Sequence, residues 1–148
     1  MNKNEEGQAV IELAVVMPLL VLLFLGALEF GRLCYVGIEV TNAAQAGAAF
    51  GAQNHALASD VSGIRTVAVQ DGGNLSNLDS NWTSTGSDVT VQNLCASTYS
   101  VTPGTCTGTP QIEYVQVNTQ VTVQSLFGVY GFPSTYTLHG QAIMRVAE

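Results

Sequence analysis

From Gln8 to Leu28 the chain runs for 21 residues with a single charge, Glu12. The rest of that stretch is Leu, Val, Ala, Ile, Met and Phe with one Gln, one Pro and one Gly. A helix of this length rises about 30 Å, the thickness of a bilayer's hydrocarbon core. Pro18 does not break this reading, because membrane helices tolerate proline with a local kink. Past the apolar run, Arg32 is placed to extend its head to lipid head groups, and Tyr35 suits the interface. Glu29 stands three residues before Arg32, so the two share a helix face and form a membrane-interface pair. The sequence therefore predicts a single-pass anchor.

A cleaved secretory signal is the obvious competitor. It would have a basic head, an apolar stretch of about 7–15 residues and a small-x-small cleavage site. Here the uncharged run from Leu13 to Leu28 is 16 residues, and the head carries one Lys against two Glu. The small-x-small triplet Ala44-Gln45-Ala46 lies too far downstream. Glu12 is the discriminating residue. A carboxylate in a span costs up to about 3 kcal/mol at the centre and less near an edge, so it persists mainly with a partner. A cut after Gly7 would place a new α-amine on Gln8, one helical turn before Glu12 or within reach from a neighbouring subunit.

Gly7-Gln8-Ala9-Val10-Ile11-Glu12, Pro18-Leu19-Leu20, Glu29-Phe30-Gly31-Arg32 and Thr41-Asn42-Ala43-Ala44 together carry a family pattern. Gly7 followed by Glu12 and an apolar helix resembles a type IV-type prepilin processing site, and the first third of the chain is similar to the TadE-like pseudopilins of tight-adherence (Flp-type) pilus systems. The resemblance implies a leader peptide (1–7) removed by a prepilin peptidase, with Gly7 and Gln8 flanking the scissile bond and Glu12 used in processing or assembly. It implies residence in the bacterial inner membrane with the domain outside the cytoplasm. The partners it implies are other pilin or pseudopilin subunits and the pilus assembly platform. The role would be that of a minor subunit, since the major pilin of such systems is far smaller. Leu13 departs from the pattern, where an aromatic residue is common. Residues 58 to 110 match nothing recognisable.

Charged residues make up only 10% of the chain, against about 25% in ordinary soluble domains. Beyond Leu33 the chain is rich in Thr, Ser, Asn, Gln and Gly, with seven acids against two bases. Such a surface repels phosphates, which argues against nucleic acid as a partner. Cys95 and Cys106 lie in a Gly/Pro/Thr-rich loop. In an oxidising compartment two such cysteines pair, whereas a metal site needs ligand spacings that are missing here. Cys34, at the membrane boundary, is either free or bridges subunits.

Three regions follow: 1–7, a transmembrane and extended helix over 8–57, and an exported α+β domain over 58–148. Alanine density predicts that the helix continues from Gly37 to Leu57. Ala43, Gly47 and Gly51 share one face of it, beside a second stripe at Ala44, Ala48, Ala52 and Ala56. These small residues form a helix-packing seam, either against other pilin helices or against the domain's own sheet. Asp60 or Ser59 caps a short helix through Ile64 and Ala68, stopped at Gly72-Gly73. Asn74 to Ser87 reads as loop. Val89 opens a strand. Alternation at Val115, Val117, Thr119, Val121 and Val123, and again from Tyr136 to Val146, predicts two long antiparallel strands. The opposite parity of Ile112 and Tyr114 suggests a bulge near Tyr114. The expected fold is α+β, with a three- to four-stranded antiparallel sheet on the helix.

No nucleophile–base constellation, phosphate loop or cofactor motif emerges, so no enzyme and no cofactor are expected. His55 and His139 lack neighbouring motifs. Asn81-Trp82-Thr83 fits a glycosylation acceptor by pattern alone. Phe127, Tyr130 and Phe132 offer either an interaction surface or core. Two alternatives to the pilus reading are a membrane-tethered adhesin or receptor with an uncut anchor, and a protein released by signal cleavage.

Overall fold

A computed structural model of the chain describes residues 3–96, 101–104, 106, 112–127 and 133–147. Its element order is α1 (Lys3–Gly51), α2 (His55–Ala58), α3 (Val61–Asp71), a 3₁₀ turn (Gly73–Asn77), β1 (Val89–Ala96), β2 (Val101–Pro103), β3 (Ile112–Gln124) and β4 (Thr135–Arg145). The four strands form one antiparallel sheet in the order β2-β1-β3-β4. The fold is thus α+β, a long apolar helix leading into a small sheet domain.

Helix α1 is continuous through Pro18 and changes character along its length. Every described side chain from Gly7 to Phe24 is exposed, and the 18-residue window best suited to a membrane has mean hydropathy 2.6 with none of it buried. By length and composition this part can cross a membrane. From Val36 onward one face is buried at Val36, Val40, Ala43, Ala44, Gly47, Ala48 and Gly51. That spacing of three and four residues is a single helical stripe. It packs on α3 and on the β3–β4 face of the sheet.

The helix ends at Gly51 and does not reach Leu57. Asn54, in extended backbone, starts a new short helix by accepting a hydrogen bond from the Leu57 amide. A local cap therefore overrides the helix propensity of the alanines. Asp60 caps α3 as the sequence suggests, its carboxylate accepting from the Gly63 amide at 2.9 Å.

Strand β3 has Val115, Val117, Thr119, Val121 and Val123 buried against the helix, as their alternation predicts. It pairs with β4 from Tyr114↔Arg145 to Gln124↔Thr135, and with β1 from Ile112↔Ala96 to Thr119↔Val89. The pairing passes through Tyr114 without interruption, so there is no bulge there. Ile112 and Tyr114 simply belong to the sheet face turned away from α1, where apolar side chains lie beside Gln116 and Asn118. The segment read as loop contains the 3₁₀ turn and Trp82, which is 1% exposed and donates its indole N–H to the Val69 carbonyl. Cys95 and Cys106 form the disulfide, joining β1 to the chain beyond β2. A ring this small contributes about 2–3 kcal/mol by restricting the unfolded chain.

Three contacts fix how the β3–β4 hairpin lies on α1. Gln124 meets Arg32, Thr119 meets Val40, and Ala147 meets Ala52, each through a hydrogen bond. Nine strand steps at about 3.3 Å and nineteen helix steps at about 1.5 Å each cover about 30 Å, so β3 lies alongside the helix from Arg32 to Gly51. The end of β3 and the start of β4 consequently lie nearest the apolar half of α1.

One buried acid has a measurable consequence. Asp88 is 4% exposed, one carboxylate oxygen has no partner, and Gln120 reaches the other at 3.4 Å. Burial, ahead of any neighbouring charge, raises its pKa above the ordinary carboxylate value. A group held higher in the folded state binds its proton more tightly there. Its effect is therefore most favourable below the unfolded pKa, and is lost as pH rises through the folded one. Asp88→Asn is expected to raise the melting temperature at neutral pH and to leave stability nearly unchanged at acidic pH. Thermal melts of both proteins across the carboxylate range test this; equal melting temperatures at neutral pH would contradict it.

Candidate processing and assembly site

Gly7, Gln8 and Glu12 all lie on the exposed part of α1. A Cβ built on Gly7 meets nothing within 4 Å. Among the described residues nothing therefore asks for glycine there, although glycine in a helix interior costs about 1 kcal/mol relative to alanine. Glu12 is exposed and, among the described residues, has neither a hydrogen-bond nor an ion-pair partner. In water that state is ordinary, but inside a span it is costly. The bond after Gly7 and this carboxylate are separated by about one turn of the helix, or about 6 Å of rise.

Glu29 and Arg32 mark the other end of the apolar segment. Their side chains approach only to 4.0 Å, so the ion pair between them is loose. Each has a closer partner at or just beyond the end of β3. Arg32 Nη1 donates to the Gln124 carbonyl at 2.8 Å, and the Leu126 amide donates to the Glu29 carboxylate at 3.3 Å. The pair thus clamps the end of β3 to the helix. The partner groups are backbone atoms at the strand end and in the loop after it, and no side-chain pattern in the sequence signals them.

Ala43, Gly47 and Gly51 are buried within the chain's own domain. A Cβ on Gly47 would lie 3.1 Å from that of Ala68, and one on Gly51 would lie 2.8 Å from Ile64 Cδ1 and 3.1 Å from Val115 Cγ1. Of the two packing partners considered for this seam, the chain's own domain, through α3 and the sheet, occupies it. The helix surface left uncovered is elsewhere, at Phe30, Tyr35 and Ile38, which are 70%, 59% and 60% exposed. Cys34 is free and exposed. Tyr130 and Phe132 lie outside the described residues.

The histidines take ordinary surface roles. His55 opens α2 with Nδ1 2.6 Å from the Glu113 carboxylate, and His139 sits on the outer face of β4. Among the described residues no group of three or more His, Cys, Asp or Glu gathers as a metal site.

The first half of α1 is apolar all round, and its second half is the buried spine of an antiparallel α+β domain. Comparison with family models sharpens this: residues 7–49 match the family described as TadE-like protein. Searches of curated proteins and of solved structures give no match. The match covers 43 of the 148 residues, the anchor half of α1 and most of its buried continuation.

Proposed function

We propose that this chain is a minor pseudopilin, cut by a prepilin peptidase between Gly7 and Gln8, that acts in assembly or initiation of a tight-adherence pilus. The observation that carries the reading is the unpartnered carboxylate of Glu12, one helical turn from that bond. Cleavage supplies an ammonium on Gln8, which pairs with Glu12 in the same chain or in the next subunit and neutralises both charges. Gly7 supports the same reading, because no contact among the described residues accounts for it. The small residue leaves the scissile bond open to a protease. The domain lies outside the cytoplasm of the bacterial inner membrane, consistent with the Cys95–Cys106 disulfide. Tyr35 and Ile38, uncovered beyond the apolar segment, are the surface on which other pilin or pseudopilin helices pack, and the assembly platform engages the same subunit.

The N-terminal sequence and intact mass of the protein recovered from membranes of its native host test the reading. A start at Gln8 is expected. A start at Met1 would overturn it and leave a membrane-tethered adhesin or receptor domain held by an uncut anchor.

A further inference from the structure

We propose that the sheet domain rests on the membrane through a second contact, in which Ser125–Phe127, just after β3, meets the outer lipid leaflet and the groove beside it holds a phospholipid acyl chain. The inference rests on α1 being a membrane span, and goes beyond it by placing the domain against the bilayer.

The groove has a volume of about 540 Å³ and is walled by Leu22, Leu25 and Phe30 on the helix and by Ser125, Phe127 and Tyr136 on the hairpin. Leu22 lies about 10 Å below Glu29 along the helix axis. Since the apolar segment ends at Leu28, the lower part of that wall, Leu22 and Leu25, is within the hydrocarbon, and its upper part, from Glu29 to Leu33, is at the boundary. The groove therefore crosses the edge of the hydrocarbon, and the hairpin residues that close it sit at that edge. Two hydrogen bonds hold them there, from Arg32 to the Gln124 carbonyl and from the Leu126 amide to Glu29.

The chemistry of the hairpin agrees with that position. Between Glu113 and Arg145 the sequence contains no Asp, Glu, Lys or Arg. Leu126 is 57% exposed at the very end of the clamp. The one charged group on the groove, Glu29, is already engaged by Leu126 and Arg32, so no polar ligand is called for. Groove volume falls within the ordinary range for small-molecule pockets, about 300–1,000 Å³. Lipid is the occupant because the groove is continuous with the lipid-facing surface of the anchor, where acyl chains are the solvent. Tyr136 at the outer wall has the amphipathic ring favoured at that level.

The test uses the full chain with Cys34→Ser, reconstituted in phosphatidylcholine–phosphatidylglycerol vesicles. A polarity-sensitive fluorophore is attached at Leu126→Cys, and in separate proteins at Ser125→Cys, Leu20→Cys and Ser59→Cys. Lipids bearing a nitroxide on the upper acyl chain serve as quencher, and unchanged Trp82 emission reports a folded domain. Quenching at 126 and 125 should exceed that at 59 several-fold and approach that at 20. Strong quenching at 20 with 126 and 125 no better than 59 would overturn the membrane-seated domain while leaving the anchor intact. Weak quenching at 20 would remove the anchor itself. Protection at 126 that disappears when protein is diluted into excess lipid would assign the groove to a second copy of the chain, which also overturns the proposal.

Discussion

Gly140→Ala is expected to destabilise the domain by about 3 kcal/mol, the upper end of the usual cost of overpacking. A Cβ at this position would stand 2.7 Å from the Val40 carbonyl oxygen and 2.6 Å from the Thr119 hydroxyl oxygen. The first of these is helix backbone and cannot rotate away. The second is held because Thr119 donates its hydroxyl to that same carbonyl at 2.8 Å. Admitting one methyl therefore means separating α1 from the sheet or leaving a buried hydroxyl without its acceptor, which itself costs about 1–3 kcal/mol. Gly73→Ala is the control, because a Cβ there meets nothing within 4 Å. Urea unfolding in detergent, followed by the emission of Trp82, measures both. A midpoint for Gly140→Ala within error of Gly73→Ala would show that α1 and β4 are not in such close contact.

Glu12→Ala is expected to abolish piliation of the native host while leaving the protein inserted and its domain folded. The side chain contacts nothing in the chain's own described structure, so its removal has no packing cost. On the proposed processing, what is lost is the acceptor for the Gln8 ammonium, which would then stay unpaired at the edge of the bilayer. Glu12→Gln should fail as well, since it retains shape and polarity but not charge. Electron microscopy of surface pili supplies the readout, with the Cys95–Cys106 disulfide and Trp82 emission as checks on folding. Pili at normal number in Glu12→Ala cells would reduce the anchor to a tether and favour the adhesin or receptor reading.

The two substitutions differ in how far the sequence alone could foresee them. Glu12 is visible at once, because one carboxylate in an otherwise uncharged apolar run needs no tertiary context to be conspicuous. Gly140 is not. In the sequence it is one residue of an alternating strand, and only the path of α1 across β4 makes a methyl there intolerable.

The same division runs through the whole molecule. The apolar span, the strand parity of β3 and β4, the Asp60 cap of α3 and the pairing of Cys95 with Cys106 were all legible. Each comes from chemistry within a few residues or from a period that the local backbone imposes. Tertiary structure decided which surfaces meet. It covered Ala43, Gly47 and Gly51 with α3 and the sheet, ended α1 at Gly51, and carried β3 past Tyr114 without a bulge. It also turned Glu29 and Arg32 from a pair on one helix into a clamp on a distant loop. A small-residue stripe or a charged pair states what kind of contact it can make. Which partner makes that contact depends on segments far along the chain, whose approach is set by how the whole core closes.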